Sequence, residues 1–119
     1  MKKTLVLGAS PDSFRYAFRA VQKLKENGFE VIPIGIRNGK IGDTDIVIGK
    51  PDLFNIHTVT IYLNISNQRG YYEYILKLKP KRIIFNPGAE NLEFAQLAKE
   101  EGIEVEFECT LVQLAIGKY

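Results

Sequence analysis

A glycine turn near the start of the chain carries the residues best placed for chemistry. The apolar run Leu5-Val6-Leu7 leads into Gly8-Ala9-Ser10-Pro11, and an amphipathic run follows over residues 14–27. A strand that turns tightly into a helix presents free backbone N–H groups and the positive helix end to an anion. We therefore predict a phosphate-binding turn. Because Ala9-Ser10 stands where the G-x-G-x-x-G pattern has its second glycine, an ordinary strand-to-helix loop is the alternative.

A second group of candidate residues follows the second predicted strand. This loop carries two cations, Arg37 and Lys40, and has no acid before Asp43. NAD-binding domains place Asp or Glu at this point, where the carboxylate accepts hydrogen bonds from the ribose hydroxyls. Guanidinium and ammonium groups pair instead with phosphate oxygens. The pattern disfavours NAD and leaves open the 2′-phosphate of NADP and the 3′-phosphate of coenzyme A; solvated surface charges are the alternative.

Strands and helices alternate along the chain, and these elements must position both loops. The period-2 and apolar runs predict strands over residues 3–7, 29–34, 45–48, 58–63, 82–85 and 103–107. Helical spacing and capping residues predict helices over 14–27, from a Ser66 cap to Pro80, from an Asn91 cap to Gly102, and over 110–116. Residues 35–44 are predicted to form an irregular loop and residues 51–54 a single helical turn.

This alternation predicts βαβ units, and hence a parallel sheet with helices on both faces. We expect an α/β fold: one Rossmann-like, doubly wound, three-layer αβα domain over residues 1–119, with predicted strands in the order 3-2-1-4-5-6. A ligand of such a sheet lies beyond the carboxyl ends of the strands, at the switch point between the first and fourth. That rule selects four loops, at residues 8–14, 34–42, 63–67 and 86–91.

The composition is that of one soluble globular domain. The 119 residues include 16 Lys+Arg and 14 Asp+Glu, a net charge of +2 that is too small to favour nucleic acid or an anionic membrane as partner. No apolar run approaches the roughly 18 residues of a membrane span, and Met1-Lys2-Lys3 leads into a strand-like segment, so we expect a cytoplasmic protein. The single cysteine, Cys109, excludes an internal disulfide and a cysteine-rich metal cage.

Six short segments, none of them diagnostic alone, together follow the order and spacing of a known family. They are Gly8-Ala9-Ser10-Pro11, Arg15-Tyr16-Ala17-Phe18-Arg19, residues 28–34, Gly39-Lys40-Ile41-Gly42, residues 85–91 and Glu108-Cys109-Thr110. Over essentially its full length the chain resembles the small stand-alone CoA-binding proteins. These are related to the CoA-binding domain at the start of the succinyl-CoA synthetase alpha subunit.

The resemblance implies coenzyme A or an acyl-CoA as cofactor. It implies that the pyrophosphate lies on the glycine turn and the helix start, at Gly8, Ala9, Ser10 and Arg15. The synthetase domain has a fuller glycine-rich turn than this chain. Its catalytic histidine lies in a second domain that is lacking here, so the resemblance carries over no acyl-CoA ligase activity.

The remaining implied contacts concern the adenosine end of the ligand. The loop after the second strand would hold the 3′-phosphate end at Ile36, Arg37 and Lys40, and the loop after the fourth strand would pack on adenine through Leu63 and Asn64. The complete set of candidate binding residues is Gly8, Ala9, Ser10, Arg15, Tyr16, Ile36, Arg37, Lys40, Leu63, Asn64 and Pro87.

Other chemically interesting residues have ordinary structural interpretations. His57 has no neighbouring nucleophile or carboxylate, and is interpreted as a loop or strand-edge residue. Cys109 precedes a helix start, which lowers the pKa of a thiol, but a buried structural cysteine is favoured. Four tyrosines are candidates for stacking on a base, namely Tyr62, Tyr71, Tyr72 and Tyr74, but at least Tyr71 and Tyr74 fall on a core-facing helical stripe. Asp43 and Asp45 lack further oxygen ligands for a metal.

We therefore expect a non-catalytic module that binds a small nucleotide ligand and contains no metal. Two alternatives stay open. An NADP-dependent oxidoreductase needs a general acid or base near the nicotinamide, and none stands out in the four loops. A degenerate Rossmann domain that mainly binds another protein is the other alternative, and its partner is unknown.

Overall fold

The computed structural model describes residues 2–119, and a six-stranded sheet runs through the middle of this part of the chain. Every neighbouring pair of strands in that sheet is parallel. The strands, in chain order, are β1 Thr4–Ala9, β2 Val31–Gly35, β3 Lys40–Ile41, β4 Thr44–Asp45, β5 Val47–Ile48, β6 Thr58–Ile61, β7 Arg82–Phe85 and β8 Glu104–Glu106. The sheet order is β5-β2-β1-β6-β7-β8, which confirms the predicted order.

Helices cover both faces of the sheet. They are α1 Tyr16–Glu26, α2 Ile65–Gln68, α3 Tyr72–Leu78, α4 Leu92–Glu100 and α5 Thr110–Ala115. Ile75 of α3 and Phe94 of α4 pack in one buried cluster with Leu5 and Leu7 of β1, whereas α1 packs in a second cluster with Val6. Since alternate side chains of a strand point to opposite faces, this division confirms the three-layer Rossmann-like fold.

The segment between β2 and β5 differs from its prediction. The predicted irregular loop contains a two-residue antiparallel hairpin in which Lys40 pairs with Asp45 and Ile41 with Thr44. Asp45 therefore belongs to the hairpin, and only Val47–Ile48 of the predicted third strand joins the main sheet. Buried Ile41 holds the hairpin against the α1 side of the core. The helical turn predicted at residues 51–54 is wrong, because that stretch has no regular structure.

The predicted helix ending at Pro80 is also divided. A turn of 3₁₀ helix, Arg69–Tyr71, separates α2 from α3. The predicted Ser66 cap is wrong, since Asn64 Oδ1 accepts the capping hydrogen bond from the Asn67 N–H at 3.1 Å. Gly70 is a weak helix former, and it lies within the 3₁₀ turn. The predicted core-facing positions of Tyr71 and Tyr74 are nevertheless confirmed, since both pack against the buried cluster that contains Ile75.

Candidate functional site

A cleft of about 610 Å³ lies beyond the carboxyl ends of β1, β2 and β6, where the strand order reverses. Loops that follow β1, β2, β6 and β7 contribute to its wall, as the switch-point rule predicts. All the predicted binding residues except Lys40 line it: Gly8, Ala9, Ser10, Arg15, Tyr16, Ile36, Arg37, Leu63, Asn64 and Pro87.

The floor of the cleft consists of closely spaced backbone. The pairing of β1 with β2 shifts register between Leu7 and Ala9, so that Gly8 is bulged out and adopts φ +96°. A Cβ at Gly8 would lie 3.1 Å from the Leu63 side chain, and a Cβ at Gly35 would overlap the carbonyl oxygen of Ala9. Glycine at these two positions lets the loops that follow β1, β2 and β6 approach one another closely.

One wall of the cleft is cationic and rich in hydrogen-bond donors. Arg37 Nη2 donates to Ser10 Oγ at 3.4 Å, and the same oxygen accepts the backbone N–H of Asp12 at 3.1 Å. Arg15 precedes α1 and lies 3.8 Å from the Asp12 carboxylate. Since α1 has no acidic residue in its first turn, its positive end faces the cleft uncompensated by its own side chains.

The opposite end of the cleft is apolar. The Ile36 side chain is 84% exposed at the rim, and Leu63 faces the floor. Tyr71 packs partly on the core, as predicted, and it also lines this end of the cleft. The Lys50 ammonium lies over the Tyr71 ring, 5.3 Å from its centroid. These apolar surfaces suit a flat aromatic group.

Lys40 is not among the described residues that line the cleft. Its place on the β3–β4 hairpin puts it in an ion pair with Asp45, with 3.4 Å between Lys40 Nζ and Asp45 Oδ1. The structure therefore separates the two cations that the sequence analysis grouped, with Arg37 in the cleft wall and Lys40 outside it.

The cleft also contains residues that the sequence analysis did not assign to it. These are Asp12, Ala17, Ile34, Gly35, Tyr62, Asn67 and Tyr71. Burial raises the pKa of the Tyr62 phenol, the negative charge of a Cys109 thiolate acting in the same direction, so the hydroxyl stays protonated near neutral pH. That hydroxyl has no hydrogen-bond partner among residues 2–119. The loops that the switch-point rule selected contain four of these residues, Asp12, Ile34, Gly35 and Asn67, and that placement was the available signal for them.

His57 and Cys109 are not among the described residues of the cleft wall. His57 Nδ1 and Thr58 Oγ1 are 2.8 Å apart at the amino end of β6. Cys109 is a half-buried thiol that precedes α5. Within residues 2–119 no group of three or more His, Cys, Asp or Glu side chains is arranged to hold a metal ion. Nor does any helix in this described range have the length and apolarity to span a membrane.

The parallel sheet and its switch-point cleft define the class of the protein, a Rossmann-like α/β domain. A family model described as a CoA binding domain matches residues 2–115, and the chain belongs to that family. It therefore carries a CoA-binding domain.

Solved structures support the same fold. A crystal structure described as that of an uncharacterized protein is 48% identical, covers 100% of this chain and 98% of its own, and superposes with a TM-score of 0.97. A Thermus thermophilus protein described as cell-free ID.343 is 24% identical, with a TM-score of 0.86 and coverage of 99% and 90%. A hypothetical protein from Pyrococcus horikoshii OT3 is 23% identical, with a TM-score of 0.87 and coverage of 97% and 82%. A search of curated proteins found no match.

Proposed function

We propose that the chain binds coenzyme A, free or acylated, in the switch-point cleft, and that it does so without catalysing a reaction of its own. The family supports the class of ligand. The observation that carries the location is the contact between Arg37 and Ser10, which joins a cation to the glycine turn across the cleft. This cation stands where an NAD-binding domain has a carboxylate.

The pyrophosphate lies on the glycine turn in this proposal. Gly8, Ala9 and Ser10 bring backbone close to the ligand, and the start of α1 supplies unpaired N–H groups and a partial positive charge. Arg15 adds a full positive charge at the same point. Tyr16 flanks it, with 66% of its surface exposed and free to pack on the ligand.

Arg37 holds the 3′-phosphate. Its guanidinium already donates a hydrogen bond to Ser10, which belongs to the glycine turn that holds the pyrophosphate in this proposal. Guanidinium groups bind phosphate with paired hydrogen bonds. Lys40 contributes little to binding, since its ammonium is paired with Asp45 outside the cleft wall and salt screens its attraction for a phosphate.

The adenine lies between Ile36 and Leu63, with Tyr71 as a side wall. Asn64 and Asn67 supply amide groups at this end, and amides can both donate and accept hydrogen bonds at the edge of a base. Pro87 belongs to the loop after β7 and lies along the path of the pantetheine arm.

The titratable residues of the described cleft support binding without catalysis. They are Asp12, Arg15, Tyr16, Arg37, Tyr62 and Tyr71. The Asp12 carboxylate accepts the Phe14 N–H at 3.0 Å and faces Arg15, and the raised pKa of Tyr62 makes its phenol a poor base at neutral pH. These residues offer no base poised for proton transfer.

Thermal unfolding tests the proposal. Coenzyme A raises the melting temperature with a stabilisation of RT ln(1 + [L]/Kd), and NADPH at the same concentration has a smaller effect. Arg15→Ala and Arg37→Ala reduce the CoA effect. Lys23→Ala, an exposed change at the far end of α1, serves as the matched control and leaves it unchanged. A strong shift with NADPH and none with CoA contradicts the proposal.

A further inference from the structure

Gln68, the last residue of α2, is a fully buried polar side chain with every hydrogen-bonding group in use. It has 0% exposure. Its Nε2 donates to the carbonyl oxygen of Leu63 at 2.8 Å and to that of Ala89 at 2.7 Å. Its Oε1 accepts a hydrogen bond from Asn91 Nδ2 at 2.9 Å. Buried polar side chains persist when they are satisfied in this way, and they then hold their neighbours in one arrangement.

The two carbonyl groups belong to different loops. Strands β6 and β7 pair as far as Ile61 and Phe85. Beyond these residues the two segments diverge, one leading into α2 and the other into α4. Leu63 lies in the loop after β6 and Ala89 in the loop after β7. The Gln68 amide therefore continues the cross-strand connection after the sheet itself has ended.

Both loops contribute to the cleft. Leu63 lines it and packs on the glycine turn, since a Cβ at Gly8 would lie 3.1 Å from Leu63 Cδ2. Pro87, two residues before Ala89, also lines the cleft. Ala89 itself is buried, with 2% exposure. Gln68 does not line the cleft, so its influence on a ligand passes through the Leu63 and Ala89 backbone.

Asn91 fixes the orientation of the Gln68 amide. Its Nδ2 also donates to the Tyr72 hydroxyl at 2.7 Å, and its Oδ1 accepts the Phe94 N–H at 3.0 Å as the cap of α4. Because the Asn91 amide nitrogen must face Gln68 Oε1, the Gln68 nitrogen must face the two carbonyls. A rotated Gln68 amide would leave both carbonyls without a donor.

We propose that Gln68 is a positioning residue for the CoA cleft, one that holds the loops after β6 and β7 at the separation that the bound ligand requires. This inference rests on the proposed function for its ligand. Its structural part, the pinning of two loops by one buried amide, is independent of which ligand binds.

Gln68→Glu tests the proposal with little change of shape. A protonated carboxyl has one O–H to donate and holds one of the two carbonyls, whereas a carboxylate donates to neither and repels both. Burial raises the pKa of a carboxyl placed here, so the change from carboxyl to carboxylate occurs at a higher pH than is usual for Glu. The ratio of variant to wild-type CoA affinity therefore falls as the pH rises from 5 to 8, by about tenfold. The ionisation of CoA affects both proteins equally, so its effect cancels in this ratio.

Gln22→Glu is the matched control. Gln22 is exposed on α1, so the same change of charge there leaves the affinity ratio flat with pH. A flat ratio for Gln68→Glu as well overturns the proposal. A purely structural loss of stability would not give a ratio that depends on pH in a protein that stays folded across the range.

Gln68→Met provides a second, ligand-free test, because it removes both donors without adding charge. Hydrogen exchange of backbone amides becomes faster at residues 62–65 and 88–90, and stays unchanged at the far ends of the strands. Unchanged exchange in either segment overturns the proposal. If wild-type protein binds no CoA, the proposed ligand is wrong, and the exchange result alone then decides the role of Gln68.

Discussion

Arg37 and Ser10 meet across the mouth of the cleft, where Arg37 Nη2 donates to Ser10 Oγ at 3.4 Å. The two residues come from loops that follow neighbouring parallel strands, β2 and β1. The contact holds the Arg37 guanidinium on the side of the cleft to which we assign the 3′-phosphate, so the preference for a ligand with that phosphate depends on a single cation.

Removal of the 3′-phosphate from the ligand tests this link. Dephospho-CoA binds about tenfold less tightly than CoA, because a hydrogen bond between charged groups contributes on the order of 1.5–3 kcal/mol and salt weakens it where the loop is exposed. Arg37→Ala removes most of this difference and leaves the affinity for dephospho-CoA nearly unchanged. Calorimetry at two salt concentrations measures both effects.

Lys40→Ala is the comparison variant for that experiment. Its ammonium is paired with Asp45 outside the cleft wall, so its loss changes the preference for CoA much less than the loss of Arg37. Equal affinities of wild-type protein for CoA and dephospho-CoA, or a larger effect of Lys40→Ala than of Arg37→Ala, contradict the assignment of the 3′-phosphate to Arg37.

Gly35→Ala tests the close approach of strands β1 and β2. An added methyl group would overlap the carbonyl oxygen of Ala9, which is fixed by the sheet pairing, so the strands must shift. We expect the free energy of unfolding to fall by about 1–3 kcal/mol, the usual result of overpacking. Urea unfolding measures it, with the slope of the transition used to check that the unfolded state is unchanged.

Gly70→Ala is the control for that substitution. A methyl group at Gly70 meets no described atom within 4 Å, and the residue already has a helical environment. Alanine there is neutral or raises the free energy of unfolding by about 0.4–1 kcal/mol, because it restricts the unfolded chain. Equal destabilisation by the two substitutions would show that the contact with Ala9 has no special role.

His57 gives the protein a pH dependence of stability. Burial and then the charge of Arg82 lower the pKa of His57 below 6.5 in the folded protein. The unfolded chain therefore binds the proton more readily. The contribution of His57 to the free energy of unfolding is fully present above pH 6.5 and is lost as the pH falls below that value. Urea unfolding between pH 8 and pH 5.5 shows this loss in wild-type protein and a smaller one in His57→Asn.

The same histidine can be followed directly. It is the single histidine among the 119 residues, so its ring protons give an unambiguous titration by NMR. A pKa at or above 6.5 in the folded protein contradicts the prediction.

Much of the fold follows from local patterns, because strand and helix periodicities determine the order of elements and the handedness rule for crossovers determines the sheet. The position of the cleft could be predicted from Gly8, because a glycine turn between a buried strand and a helix occupies a defined place in such sheets. Lys40 could not be placed this way. Its pairing depends on a hairpin of two residues per strand, which is held by the burial of Ile41 and has no periodicity of its own.

Tyr71 and Gln68 show a second limit of local patterns. Tyr71 packs on the core as its helical stripe predicts, but it also lines the cleft, and the stripe gave no sign of that second contact. Gly70 was the available signal for the 3₁₀ turn that divides the predicted helix. Gln68 gave no signal, because an isolated glutamine is usually exposed, and its burial is explained only by partners 5, 21 and 23 residues away.

The most direct test of the account is the mapping of bound CoA by NMR. Titration with CoA should shift the backbone amides of Gly8, Ala9 and Ser10 together with those of Leu63 and Asn64, and the shifts should saturate at one ligand per chain. Shifts confined to the second cavity, which lies between α2 and α4 and is lined by Ser66, Arg69 and Glu93 among others, would contradict the account, as would no shift at all.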